Sequence, residues 1–174
     1  MQPIDLIPQF GSLFWTIAAF VVALSIIVAI HEYGHYIIGR LSGIHAEVFS
    51  IGFGRPLIGR TDRHGTRWQI AMIPLGGYVK FLGDANAASA GADEATLSRL
   101  SDAERRHTMH GAPLWARAAT VVAGPVFNFI LSILIFAGVY LVSGVARDEP
   151  VVGSLVTLPA GTYDLQPGDQ ILAV

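Results

Sequence analysis

The sequence contains no cysteine and few charges. Without cysteine, disulfides and thiolate metal sites are excluded, so a bound zinc would have to be held by histidine and carboxylate. Charged residues make up 14% of the 174 and hydrophobic residues 52%, a balance that points away from a soluble domain. The scarcity of charge is also uneven. None occurs from Leu6 to Ile30 or from Ala118 to Ala146, runs of 25 and 29 residues, and about 20 suffice to cross a bilayer. Two transmembrane helices are therefore expected. No Lys or Arg precedes Arg40, so the first run lacks the basic lead-in of a cleavable signal peptide. A net charge of −2 gives no nucleic-acid footprint.

The basic residues are few but placed with a bias. Of the 11 Lys and Arg, all but Arg147 lie between the two apolar runs. Basic residues concentrate on the cytoplasmic side of membrane proteins, so the connecting region 44–113 is expected in the cytoplasm and both ends of the chain on the opposite side.

What stands at the end of the first apolar run is His31-Glu32-Tyr33-Gly34-His35, an HExxH motif. On a helix, positions i and i+4 share a face, so His31 and His35 can reach one metal ion, and Glu32 is placed to activate a water beside it. The same five residues can arise by chance in a soluble protein. At membrane depth, however, histidine and glutamate are costly and tend to be functional. His31 and His35 are therefore expected as zinc ligands and Glu32 as the general base. Tyr33 and Gly34 read as spacers, or Gly34 lets a second helix come close. His45, His64, His107 and His110 read as loop or strand residues, and the His107-x-x-His110 spacing as solvated rather than metal-binding.

Five segments are expected. Residues 1–43 form an outer segment and the first helix, which runs from about Leu13 to about Leu41 and stops at Ser42-Gly43. Residues 44–83 form a β-hairpin region, with short strands at Glu47–Ile51, Arg67–Ile73 and Tyr78–Leu82 punctuated by Gly52, Gly54, Gly65, Pro74 and Gly76-Gly77. A polar loop follows at 84–113, with one short helix around Ala95–Arg106. The second transmembrane helix occupies 114–146, with Pro125 as a first-turn proline. Residues 147–174 return to β texture and are too few to bury a core of their own.

Four phrases in order, Val28–His35, Phe49–Gly54, Ile73–Lys80 and Ala123–Asn128, resemble the site-2 protease family of intramembrane zinc metalloproteases. The tail, through Pro159-Ala160 and Leu165–Asp169, resembles the opening of that family's PDZ module, with Gly161–Asp164 departing from the usual approach. The resemblance implies a mainly α membrane protein: two transmembrane helices joined by a cytoplasmic-side β-hairpin region, then the start of a PDZ-like β module. It implies a bacterial inner membrane location and regulated intramembrane proteolysis. The substrates it implies are single-span membrane proteins such as anti-sigma factors, or remnant signal peptides. It also implies a third zinc ligand, an aspartate from a later helix, so the chain reads as the N-terminal part of a longer enzyme, inactive by itself.

A peptide bond inside a transmembrane helix is hydrogen-bonded and hidden from attack, and unwinding it in lipid leaves unpaired polar groups. Strand residues Ile70, Ala71, Met72, Ile73, Tyr78 and Val79 are expected to supply replacement partners by pairing with the unwound substrate, unless the hairpin only caps the helices. Asn128 either bridges to a neighbouring helix or hydrogen-bonds the substrate backbone or an oxyanion. The competing reading is a membrane scaffold that binds transmembrane peptides without cutting them. A soluble zincin is disfavoured by the two uncharged runs.

Overall fold

A computed structural model describes residues 13–86, 91–144, 152 and 166–170. The expected outer segment 1–12 and most of the PDZ-like tail lie outside the described residues.

Helix α1 spans Leu13–Leu41 and α4 spans Leu114–Ser143. Each is long and apolar enough to cross a membrane, and the most apolar 18-residue window of each is wholly unburied. Helix α1 ends as its sequence suggests. Gly43 adopts φ 86°, which a side chain would resist, and the Ile44 amide returns 2.9 Å to the Gly39 carbonyl. Helix α4 starts right after Pro113, whose carbonyl accepts from the Ala116 and Arg117 amides. Pro125 is thus well inside α4 and not in its first turn, a correction to the sequence reading. An interior proline removes one helical hydrogen bond, which membrane helices tolerate when neighbouring groups re-satisfy the backbone.

Strands β1 (Ala46–Thr61) and β2 (Arg67–Phe81) form one sheet, longer than the three short strands expected. Each strand bends near its middle, β1 around Gly52 and Gly54 (φ 89° and 85°) and β2 around Gly76 (φ 142°). The glycines that read as breaks are therefore bends within continuous strands, because positive φ turns the chain without ending the pairing. Residues 46–51 pair antiparallel with 77–81, and 56–61 pair with 67–71; residues 48–51 also partner 67–70 on their other side. Segment 46–51 is consequently interior to the sheet, and 77–81 lies at its margin.

The core forms where this sheet meets the ends of the helices. Tyr36 of α1 packs edge-on against Phe49 and Trp68, with ring centroids 5.9 and 4.9 Å away. Ile44, Ala46, Val79, Phe81, Ala112 and Ala116 complete the cluster. Burial of this kind contributes roughly 1.5–3 kcal/mol for each large apolar side chain.

The polar region after β2 holds two one-turn helices rather than one longer one: α2 (Glu94–Leu97) and α3 (Asp102–Arg105). Asp93 caps the first, and Ser101 with Glu104 forms a capping box on the second. Two separate caps within this stretch break it into two turns. The segment is tied to the end of α1: His45 N–H donates to His107 O at 2.8 Å, and His107 Nδ1 lies 2.7 Å from Gly43 O. His107 therefore holds the fold, and His110 Nε2 lies 3.5 Å from the buried Asp84 carboxylate.

The chain divides into two compact units, the first ending at Ile133. In the second, beyond α4, the Val152 amide donates to Asp169 O and the Gly168 amide to Val152 O, both at 2.8 Å.

Candidate active site

His31 and His35 lie one turn apart on α1, with ring centroids 4.8 Å apart and planes at 79°. Their Nε2 atoms face the same spot on α4, the bare backbone of Gly124. A Cβ built there would collide with His35 Nε2 and stand 2.7 Å from His31 Nε2. Residue 124 has no side chain to come between the two nitrogens and the α4 backbone.

The other ring nitrogens are engaged. His35 Nδ1 lies 2.7 Å from Thr120 O. A carbonyl only accepts, so Nδ1 carries the proton and Nε2 presents its lone pair. His31 Nδ1 lies 3.1 Å from the Asn128 side-chain amide. Thr120, Gly124 and Asn128 follow at four-residue intervals along one face of α4, with Thr120 and Asn128, the two partners of the histidines, two turns apart. Close approach of the helices allows this. A Cβ at Gly34 would lie 2.7 Å from Ala123 O and 2.9 Å from Phe127 Cγ, so Gly34 is a packing glycine, the second of its two sequence readings.

Glu32 faces the sheet instead. Gly77 of β2 stands against it, close enough that a Cβ there would lie 3.3 Å from Glu32 Cγ, 3.0 Å from Val28 Cγ1 and 2.7 Å from Ser50 O. The Val79 backbone N–H hydrogen-bonds the Glu32 carboxylate. Higher on α1, the Ser25 hydroxyl donates to Pro74 O at 3.3 Å. The outer side of segment 77–81 thus runs beside the helix that carries the motif.

The expected substrate-pairing residues separate into two groups. Ile70 already has strand partners on both sides, Ile51 and Ile58, while Ala71 pairs with Pro56 and Ile73 with Phe53. The backbone of Ile70 is thus committed on both sides, which the short-strand reading did not foresee, while Ala71 and Ile73 each have a partner on one side. The side chains of Ile70, Met72 and Ile73 remain exposed, and that of Ala71 is buried. Tyr78 and Val79 lie on the marginal segment beside Glu32, and Asn128 lies beside His31. A cavity of about 270 Å³ adjoins His31, lined also by Pro125, Asn128, Phe129 and Ser132.

Zinc accepts neutral histidine nitrogen, which His35 Nε2 presents, and His31 Nε2 faces the same point on α4. Among the described residues, no group of three or more His, Cys, Asp or Glu is placed to hold a metal, which leaves His31 and His35 as a candidate pair of ligands. Gly124 and Thr120 were not singled out for this role in the sequence. The available signal was their four-residue spacing with Asn128, the same interval as the two histidines.

Residues 19–169 match the model of peptidase family M50. A relative in Agrobacterium fabrum, whose name assigns it to the zinc metalloproteases, is 50% identical over 165 residues, covering 94% of this chain and 44% of the relative. One in Mesorhizobium japonicum with a name of the same kind is 48% identical over 160 residues, covering 91% and 44%. Metalloprotease MmpA of Caulobacter vibrioides is 44% identical over 158 residues, covering 86% and 39%. The chain spans less than half the length of these curated relatives.

Proposed function

The chain belongs to peptidase family M50, and from that membership together with the site we propose that it forms part of an intramembrane zinc endopeptidase of the site-2 protease type. The observation that carries the proposal is the meeting of α1 and α4. Both histidine Nε2 atoms face the side-chain-free backbone of Gly124, and Glu32 stands beside the margin of the sheet.

His31 and His35 would hold the zinc, with a carboxylate from outside the described residues as third ligand. Bound zinc supplies Lewis acidity and lowers the pKa of a water toward about 7. Glu32 takes the proton of the attacking water and returns it to the leaving amide nitrogen as the C–N bond breaks, a contribution of about 10²–10⁴-fold. An unwound substrate would pair with the sheet margin near Tyr78, which replaces hydrogen bonds lost from its helix. Exposed Leu57, Ile58, Met72 and Leu75 suit a hairpin whose far part dips into lipid.

The substrates on this reading are transmembrane segments of single-span proteins, anti-sigma factors or remnant signal peptides among them. Helices α1 and α4 cross the bacterial inner membrane, with 44–113 on the cytoplasmic side. The test is cleavage of a model transmembrane substrate by the full-length protein in bilayers, with Glu32→Gln as the control. Binding of the substrate without cleavage by the unaltered protein would favour the scaffold reading instead.

A further inference from the structure

We propose that Asn128 is a positioning residue for the zinc ligand His31: its amide oxygen accepts the Nδ1 proton and holds the Nε2 lone pair toward Gly124. The inference rests on the zinc site proposed above and adds to it the group that fixes one ligand's tautomer.

The two histidines of α1 meet α4 in the same way one turn apart. For His35 the partner is a backbone carbonyl, 2.7 Å from Nδ1, so the direction of that hydrogen bond is fixed by chemistry. His31 lies four residues before His35 on α1, and Asn128, eight after Thr120 on α4, has its amide Nδ2 3.1 Å from His31 Nδ1. An amide can face the ring with either end, because its oxygen and nitrogen have nearly the same shape. With the nitrogen toward the ring, Nδ1 accepts, the ring proton moves to Nε2, and the nitrogen facing Gly124 can no longer bind a metal. Asn128 Oδ1 is then also left buried with no hydrogen-bond partner. With the oxygen toward the ring, Nδ1 donates and both histidines offer Nε2 lone pairs to the same space. Only the second arrangement gives two ligands.

Asn128 is held for this task. Its carbonyl accepts the Ser132 hydroxyl at 3.0 Å, and the Gly34 contact with Ala123 and Phe127 fixes the height of α4 against α1. Asparagine also brings no charge into the apolar helix, where aspartate, the commoner partner of a zinc-bound histidine, would be costly.

Two measurements on the full-length protein in nanodiscs test the proposal. The first is zinc affinity by chelator competition. Asn128→Leu, which removes the acceptor, is expected to weaken zinc by about 10–100-fold. Asn128→Asp, which keeps an acceptor and loses the N–H donors, is expected to bind zinc within a few-fold of the unaltered protein. The second is the ¹⁵N spectrum of histidine-labelled, zinc-loaded unaltered protein, in which His31 Nδ1 should carry the proton. That reading needs no variant to fold. Undiminished zinc affinity in a folded Asn128→Leu would overturn the proposal, as would a proton-free His31 Nδ1. Activity lost in Asn128→Asp while Asn128→Leu keeps its zinc would point to an oxyanion donor instead. Failure of the unaltered protein to bind stoichiometric zinc would overturn the metal site itself, and this proposal with it.

Discussion

Gly124 stands with its bare α-carbon against the imidazole of His35, so that a side chain there would collide with Nε2 and Cε1 of that ring. Residue 124 is thereby part of the site without supplying any functional group. Gly124→Ala should cut zinc affinity and proteolysis by about tenfold or more, on the scale of lost support to a metal ligand. Gly138→Ala on the same helix, where an added Cβ meets no described residue within 4 Å, should leave both unchanged. Chelator competition and a cleavage assay on the two variants check this, and equal behaviour of the pair would refute it.

Glu32 and the histidines should separate in their effects. Glu32→Gln keeps the metal, because the carboxylate is not a ligand, and lowers hydrolysis by about 10²–10⁴-fold. His31→Ala and His35→Ala lose metal and activity together. Metal content measured beside turnover distinguishes the two classes, and a Glu32→Gln enzyme with most of its activity would remove the general-base assignment.

The contact between β2 and the motif helix makes a different prediction. A valine at Gly77 would press on Ser50 O, Val28 and Glu32, all within 3.3 Å of its Cβ. Gly77→Val should displace the strand margin, depressing cleavage by about tenfold or more while zinc content holds, since the side chains nearest that Cβ are Val28 and Glu32. Loss of zinc in a folded Gly77→Val protein would contradict this division of the site.

Orientation follows from charge and is open to reporter fusions. Fusions near Arg63 and Arg105 should report cytoplasm, and fusions near Val151 the opposite side. A periplasmic signal at Arg63 would place the metal site at the wrong end of α1.

The 174-residue chain expressed alone brings two histidines together and, among its described residues, no third metal-binding side chain. Zinc should therefore be held weakly, and a transmembrane substrate should not be hydrolysed. Stoichiometric zinc with turnover in this chain would mean that a third ligand lies within it.

Much of this was already written in the order of residues. The uncharged runs fixed two long helices, because a span needs only length and apolarity, and Ser42-Gly43 marked the end of α1 because positive φ at Gly43 is a local property. The HExxH spacing put His31 and His35 on one face for the same local reason. Pairing was less legible. Gly52, Gly54 and Gly76 read as breaks, and whether a glycine ends a strand or bends it depends on which segment lies alongside. That same register commits Ile70 and Ala71 to partners within the sheet and puts Val79 beside Glu32. What only the tertiary structure decided is the meeting of α1 with α4. Thr120, Gly124 and Asn128 are apolar-helix residues until the Gly34 contact brings their stripe against the two imidazoles. Local sequence sets the spacing along each helix, but the height and rotation of one helix against another arise from packing between residues some ninety positions apart.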